Sequence, residues 1–182
     1  MELDAFWNII DWMKISAYAS IGDWRWKNDV QAVIYDDYSH VEVGKVNVYS
    51  DGLPVGDAPQ TQVGASLNFD IPYGFRFNAD WQFNDRMYAD FDPVTRTDPS
   101  DRAPSYRIPS YHLLGATLSW SGMLGRSAER DGLGLTVFAT GANLLNTMYI
   151  ERGKDGAAHD LASFRGYWGF GRNFSFGLRF SF

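Results

Sequence analysis

The sequence predicts an all-β fold, with antiparallel strands of the kind that form the wall of a membrane-spanning β-barrel. Aromatic residues make up 16% of the 182 residues and glycines number 18, which is typical of β-proteins because aromatic side chains favour pleated surfaces and glycines interrupt them. Several segments of about ten residues alternate between apolar and polar side chains. Short and long connections also alternate along the chain, as they do in outer-membrane barrels.

Composition excludes several classes of function. The chain contains no cysteine, which excludes disulfide scaffolds, thiol catalysis and cysteine-ligated zinc. Its 16 basic and 22 acidic residues give a net charge of -6, the wrong sign for a nucleic-acid partner. No apolar run is long enough for a spanning helix, and we expect no secretory signal at the N-terminus.

The first fifth of the chain has the least regular pattern. Leu3, Trp7 and Ile10 have helical spacing over a short segment. The first predicted strand runs from Met13 to about Tyr35. Apolar and polar residues alternate in it over 15–21. The β-prone runs 30–35 and 41–49 either continue this strand or form strands of their own, and the period does not decide between these alternatives.

Five further strands are predicted at 61–70, 75–84, 111–120, 133–143 and 172–182. In the second of these, aromatic residues alternate with charged and amide residues that a soluble core would not hold. These polar residues, together with one arginine of the last strand, are our candidates for a water-filled lumen. They are Arg76, Asn78, Asp80, Gln82 and Arg179.

The last ten residues show the clearest period of two. The apolar set, which alternates with Asn, Ser, Gly and Arg, consists of Phe174, Phe176, Leu178, Phe180 and Phe182. One face of this strand is therefore oily and the other is polar. Upstream, a tight turn at 70–74 is followed by a long connection at 88–109, a moderate one at 121–132 and a long one at 146–171.

Four motifs resemble one known family. They are the final strand 171–182, the segment Asn-Leu-Leu-Asn-Thr-Met-Tyr at 143–149, the Pro-Ser-Tyr at 109–111, and the proline-containing loop 55–60. In this order and spacing, the chain resembles the C-terminal part of a TonB-dependent outer-membrane receptor. The resemblance covers roughly residues 13–182.

This resemblance implies that 1–182 is a C-terminal segment of a 22-stranded barrel without its plug domain, placed in the outer membrane of a Gram-negative bacterium. The parent receptor would import a siderophore, a vitamin, an oligosaccharide or a peptide. The implied partners are outer-membrane lipid, the missing plug and remaining barrel strands, and, indirectly, the TonB energy-transducing system. The alternating apolar set of the last strand would be the aromatic signature for barrel assembly.

Two alternatives remain open at this point. Splitting 13–49 into three strands would give a complete barrel of about eight strands with a structural or adhesion role. A soluble β-sandwich or lipocalin-like binder would instead pack the aromatic faces inward. A hydrogen-bonded pair between 13–22 and 172–182 would favour the small barrel, and a gap between them the larger one.

We expect no catalysis, metal or cofactor. His40, His112 and His159 lie far apart in the sequence and lack metal-ligand spacing. The acidic loop with Asp90, Asp92, Asp98 and Asp101 lacks the glycine and glutamate of a calcium-binding loop. No Gly-x-Ser-x-Gly motif marks a nucleophile. We therefore expect solvated loop or lumen histidines and a solvated acidic loop.

Overall fold

The computed structural model describes residues 1–125 and 132–182. Thirteen strands are present in these residues: β1 (Glu2–Ile10), β2 (Met13–Ile21), β3 (Val30–Tyr35), β4 (Glu42–Val48), β5 (Thr61–Ile71), β6 (Phe75–Asp85), β7 (Met87–Tyr88), β8 (Arg107–Ile108), β9 (Tyr111–Leu124), β10 (Leu133–Ala142), β11 (Ile150–Lys154), β12 (Arg165–Trp168) and β13 (Asn173–Ser181). The only helical segments described are two 3-10 turns, Pro72–Gly74 and Pro93–Thr95. The described part of the chain holds no helix with the length and apolarity needed to cross a bilayer. The prediction of an all-β, antiparallel chain is confirmed.

Seven strands form one antiparallel sheet in the order β1-β2-β5-β6-β9-β10-β13. Neighbouring strands in this sheet follow one another in chain order, so the sheet is a meander. The remaining six strands form three separate hairpins, β3–β4, β7–β8 and β11–β12. All three hairpins belong to the long connections between the strands of the large sheet.

The register of the large sheet aligns its apolar residues on one face. Residues directly opposite one another in an antiparallel pair share a face. One row across the middle of the sheet is apolar, and it contains Phe77, Leu118, Ala139 and Phe176. The adjacent row is polar, and it contains Asn78, Thr117, Thr140 and Ser175. The period-two patterns of separate strands therefore add up to a single apolar face.

This apolar face is not covered by any described residue layer. Leu118 is 48% exposed and Phe176 is 81% exposed. Phe180 and Phe182 also lie in the open. The inward-packed aromatic faces expected for a soluble sandwich are therefore absent from the described residues.

The N-terminal prediction is wrong. Residues 2–10 form strand β1, which pairs with β2 so that Leu3 lies opposite Ala19 and Trp7 opposite Ile15. Leu3, Ala5 and Trp7 also fit a period of two. They form a strand because this segment pairs with β2 and aligns them with apolar residues of that strand. The predicted strand from Met13 to about Tyr35 is wrong as well, because β2 ends at Ile21.

The sheet is open in the described residues. Its edges are β1 and β13, and neither pairs with a second strand there. Strand β2 lies between β1 and β5, so both of its hydrogen-bonding edges are occupied and the pair expected for a small closed barrel does not form. The segment 30–48 does split into two strands, but β3 and β4 pair with each other and add nothing to the large sheet.

The connections are sorted by length between the two ends of the sheet. Asp11–Trp12 and Pro72–Gly74 form tight turns at one end. The long connections 22–60, 86–110 and 143–172 emerge at the opposite end and contact one another there. We refer to these three segments as the loop layer. The predicted connection 121–132 is wrong at its start, because β9 continues to Leu124, and its residues 126–131 lie outside the described residues.

The loop layer contains the hydrophobic core. Every buried apolar side chain in the described part of the chain belongs to it: Val48, Leu53, Met87, Ala89, Phe91 and Ile108. Val48, Leu53 and Phe91 pack against one another, with Ala32 and Val46 beside them. Apolar burial thus joins the segments 22–60 and 86–110, and polar contacts such as Arg96–Asp155 attach the segment 143–172, whereas the sheet relies on its hydrogen-bond ladders.

The tight turn between β5 and β6 requires glycine at position 74. Gly74 has φ +87°, and a Cβ added there would overlap the backbone carbonyl oxygen of Ser121 on β9. We expect Gly74→Ala to reduce the free energy of unfolding by about 1–3 kcal/mol, because both the backbone conformation and the contact with β9 become strained. Denaturant titration measures this loss, and Gly44→Ala, where a Cβ meets no atom within 4 Å, is the matched control.

Candidate functional site

All five predicted lumen residues lie on the polar face of the sheet. Side chains at 76, 78, 80 and 82 project from this face of β6, and Arg179 lies opposite Thr136 on the same face at the other side of the sheet. Arg76 Nε donates to Asp70 Oδ1 at 2.8 Å. Thus Arg76, Asn78, Asp80 and Gln82 form one patch, whereas Arg179 is remote from it.

The two amides of this patch are hydrogen-bonded to neighbouring amides. Asn78 Nδ2 donates to Asn68 Oδ1 at 2.8 Å, and Gln82 Nε2 donates to Asn84 Oδ1 at 3.0 Å. The carboxylate of Asp80 lies over Gly115, whose missing side chain leaves room for it. The amides are therefore hydrogen-bonded within the sheet, and contact of this patch with a solute stays a prediction.

The polar face changes character towards β13. Between β9 and β10 its side chains are hydroxyls, with Thr117 and Thr140 oxygens 3.1 Å apart and Ser121 and Thr136 oxygens 2.9 Å apart. Phe138 lies over Gly177. One half of the face is thus rich in amides and charges, and the other carries mainly hydroxyls, with Phe138 and Arg179 as its large side chains.

The aromatic residues of the C-terminal strand are exposed on the apolar face of the sheet. Phe174, Phe176, Leu178 and Phe180 lie on the apolar face of β13, opposite Gly141, Ala139, Val137 and Leu135 of β10. All four are more than half exposed, and Phe182 follows the strand. The other edge of β13 is free in the described residues. A role of these residues in barrel assembly stays a prediction.

A buried charged cluster joins two segments of the loop layer. Arg96 is fully buried, and its Nη2 donates to Asp155 Oδ2 at 2.9 Å, with Asp155 only 2% exposed. Its Nη1 donates to Asp101 Oδ1 at 3.1 Å and to the carbonyl oxygen of Ala103 at 2.9 Å. The guanidinium also lies over the ring of Phe91, with 5.5 Å from Cζ to the ring centroid.

His159 completes this cluster. Its Nδ1 is 2.6 Å from Asp155 Oδ2, and its Nε2 is 3.1 Å from Asp101 Oδ2. The other carboxylate oxygen of Asp155 accepts the backbone N–H of Tyr106 at 2.9 Å. The expectation of a solvated His159 is therefore wrong, because the side chain is only 14% exposed and bridges two carboxylates.

Sequence reasoning missed this cluster. Arg96 and Asp155 come from different long connections, and no periodicity relates them. The one local signal is the i,i+4 spacing of Asp155 and His159. Because Arg96 bonds to one carboxylate oxygen of Asp101 and one of Asp155, the cluster ties the segments 86–110 and 143–172 together.

The four aspartates of the acidic loop have partners within the described residues. Asp90 forms an ion pair with Lys154, and Asp101 belongs to the Arg96 cluster. Asp92 accepts the backbone N–H of Val94, and Asp98 accepts that of Ser100. Residues 1–125 and 132–182 contain no group of three His, Asp or Glu side chains placed to hold a metal ion. The expectation of a solvated loop is wrong for Asp101 and right for Asp98.

An exposed ion pair also ties the loop layer. Arg102 Nη1 and Nη2 donate to the two oxygens of Asp29 at 2.6 and 2.8 Å. The hydrogen bonds from Arg102, followed by the backbone N–H of Asp51, lower the pKa of Asp29 from 3.8 to about 2.

We expect the stabilisation from this ion pair to be present above about pH 4 and to be lost as the pH falls through about 2. The sign follows because the folded state holds the carboxylate more strongly than the unfolded state does. Carboxyl NMR titration measures the pKa directly. Arg102→Gln should return the pKa of Asp29 towards 3.8, whereas Arg107→Gln, which removes a pair with Asp85, should leave it unchanged.

Comparison with family models, with curated proteins and with solved structures found no match to this chain.

Proposed function

We propose that the seven-stranded sheet is part of the wall of an outer-membrane β-barrel, of the type found in TonB-dependent nutrient receptors. The observation that carries this proposal is the single apolar face that runs across all seven strands and lies uncovered. A contiguous apolar face of this extent needs an apolar partner. Lipid is the partner that suits an antiparallel sheet whose opposite face is polar.

The dimensions of the strands support this proposal. Strands β5 and β6 each contain 11 residues, which at about 3.3 Å per residue corresponds to roughly 36 Å. With a strand tilt of about 40°, the height of the wall is roughly 28 Å, close to the hydrocarbon thickness of about 30 Å. The length of these two strands therefore suits a crossing of the bilayer.

Aromatic residues near both ends of the sheet support the same placement. Trp12 and Tyr73 lie in the tight turns, and the indole Nε1 of Trp120 donates to the carbonyl oxygen of Tyr73 at 3.0 Å. At the other end, Tyr111 stacks on Tyr149 with 4.6 Å between ring centroids. Tyrosine and tryptophan favour the boundary between headgroups and acyl chains.

The sorting of the connections supports an orientation. In outer-membrane barrels, tight turns face the periplasm and long loops face the outside. The loop layer would therefore be extracellular and would meet an imported nutrient first. The free edges of β1 and β13 would pair with the remaining strands of the barrel, whose closure removes exposed edges.

Spin labels test the lipid contact directly. Because the chain has no cysteine, single cysteines can be placed at Ala116 and Leu118 on the apolar face and at Thr117 and Ser119 on the polar face. In lipid vesicles, we expect labels on the apolar face to collide strongly with oxygen and weakly with a water-soluble nickel chelate. The labels at Thr117 and Ser119 should collide more with nickel.

Two outcomes would contradict the proposal. Shielding of the apolar-face labels from both reagents would show that protein covers this face. Strong collision of those labels with nickel would show that the face lies in water. The transport role itself is tested by nutrient-limited uptake in cells that express the whole receptor with or without residues 171–182, and unchanged uptake without them would contradict it.

A further inference from the structure

The loop layer contains an apolar cavity of about 320 Å³. It lies between the hairpin β3–β4 and the segment 90–93. Its apolar lining consists of Trp26, Val30, Ala32, Val48, Phe91 and Pro93. The rings of Trp26 and Phe91 meet edge to face, with 6.3 Å between their centroids. Such a wall suits a planar or aliphatic group.

A second cavity, of about 520 Å³, lies beside the hairpin β11–β12 and has a mixed lining that is more polar than that of the first. Its lining includes Asp92, Thr95, Lys154, Ser163, Arg165 and Tyr167. Lys154 lines both cavities, while Phe91 and Pro93 line the first and Asp92 lines the second, so the two spaces are neighbours on either side of Lys154. The two cavities together therefore have an apolar half and a mixed half with charged side chains.

The register of the hairpin β11–β12 gives one face a strong positive charge. Arg152 lies opposite Tyr167, and Lys154 lies opposite Arg165. Opposed residues share a face, and so do residues two apart on one strand. Three cations and one tyrosine therefore project together, and Arg152 Cζ lies 5.4 Å from the centroid of the Tyr167 ring.

The acidic residues that line the two cavities each have a hydrogen-bond or ion-pair partner within the protein. Asp155 is held by Arg96, and Asp92 accepts the N–H of Val94 at 3.1 Å. Asp90 forms an ion pair with Lys154. Across the described residues, Arg165 has no acidic side chain within ion-pair distance. Its guanidinium is thus the cation available to a ligand, and its fork suits a carboxylate.

We infer that the two cavities form one binding site for an amphipathic anion, with an aromatic or aliphatic body in the apolar half and an acid group at Arg165. This site stands on the geometry of the loop layer alone and does not depend on the location of the sheet in a membrane. Arg165 would provide orientation and specificity, and the apolar wall would provide most of the affinity.

Calorimetry on the purified full chain tests this site with two matched compounds, 2-naphthoate and the neutral 2-naphthalenemethanol. We expect the carboxylate to bind at least about tenfold more tightly than the alcohol. Arg165→Gln should remove this preference and leave binding of the alcohol unchanged. Ala32→Leu, which fills the apolar cavity, should weaken both compounds. Arg172→Gln, a change of the same kind outside both cavities, should alter neither.

Equal affinity for the two compounds, or no binding of either one, would overturn the inference. So would an equal effect of Arg165→Gln and Arg172→Gln, because charge alone would then explain the preference. Circular dichroism verifies that each variant is folded. The spin-label experiment reports on the sheet and not on the loop layer, so failure of this site and failure of the proposed membrane location are distinguishable.

Discussion

Leu118→Arg is expected to reduce the free energy of unfolding in lipid by about 2–4 kcal/mol, the cost of a cation near the middle of the lipid-facing side of a barrel. Leu118 lies in the central apolar row between Phe77 and Ala139. Urea titration of the protein in phospholipid vesicles measures the loss. This large effect follows from the proposed lipid contact, since an exposed leucine in water tolerates arginine at little cost.

Thr117→Arg is the matched control, one residue away on the opposite face. Its side chain lies opposite Asn78 and Thr140, where water would fill the lumen. We expect it to change the free energy of unfolding by less than about 1 kcal/mol. Equal losses for the two variants would mean that the faces do not differ in their surroundings, and the proposed wall would be wrong.

Arg96→Met is expected to destabilise the loop layer by about 3–5 kcal/mol, because removal of one partner leaves buried carboxylates without their cation. Asp155 would retain His159 as a partner but would lose the guanidinium 2.9 Å away. The backbone N–H of Tyr106, which donates to Asp155, should exchange with solvent about two to three orders of magnitude faster.

Arg102→Met provides the comparison within the same loop. Arg102 also joins an aspartate on another segment, but both side chains are substantially exposed to water. Such pairs contribute little to stability. Exchange at Tyr106 should therefore remain close to that of the unchanged protein. Similar acceleration in both variants would contradict a special role of the buried cluster.

The strands of the large sheet could be predicted well wherever one face is apolar and the other polar. The predicted 61–70, 75–84 and 133–143 differ from β5, β6 and β10 by one residue at most at either end. The reason is physical: a sheet with one apolar and one polar face requires a period of two along each strand. The same rule applies to β13, whose pattern is the clearest in the chain.

The failures have physical reasons as well. In β1, Phe6 follows Ala5 and precedes Trp7, so large apolar side chains occupy both faces of this edge strand and blur the period. In the loop layer, burial and ion pairs join residues that are distant in sequence, such as Arg96 and Asp155. No local pattern encodes such pairs, because they form only after the sheet brings the three long connections to one end.

The separation of the hydrophobic core from the sheet has a consequence for how the molecule comes apart. The loop layer coheres by excluding water, so urea acts on it directly. The strands would be retained by the hydrocarbon around them, which urea reaches poorly. Denaturation in vesicles should therefore proceed in two stages, in which the loop layer unfolds before the large sheet leaves the bilayer. Solubilising the vesicles with detergent should merge the two stages into one.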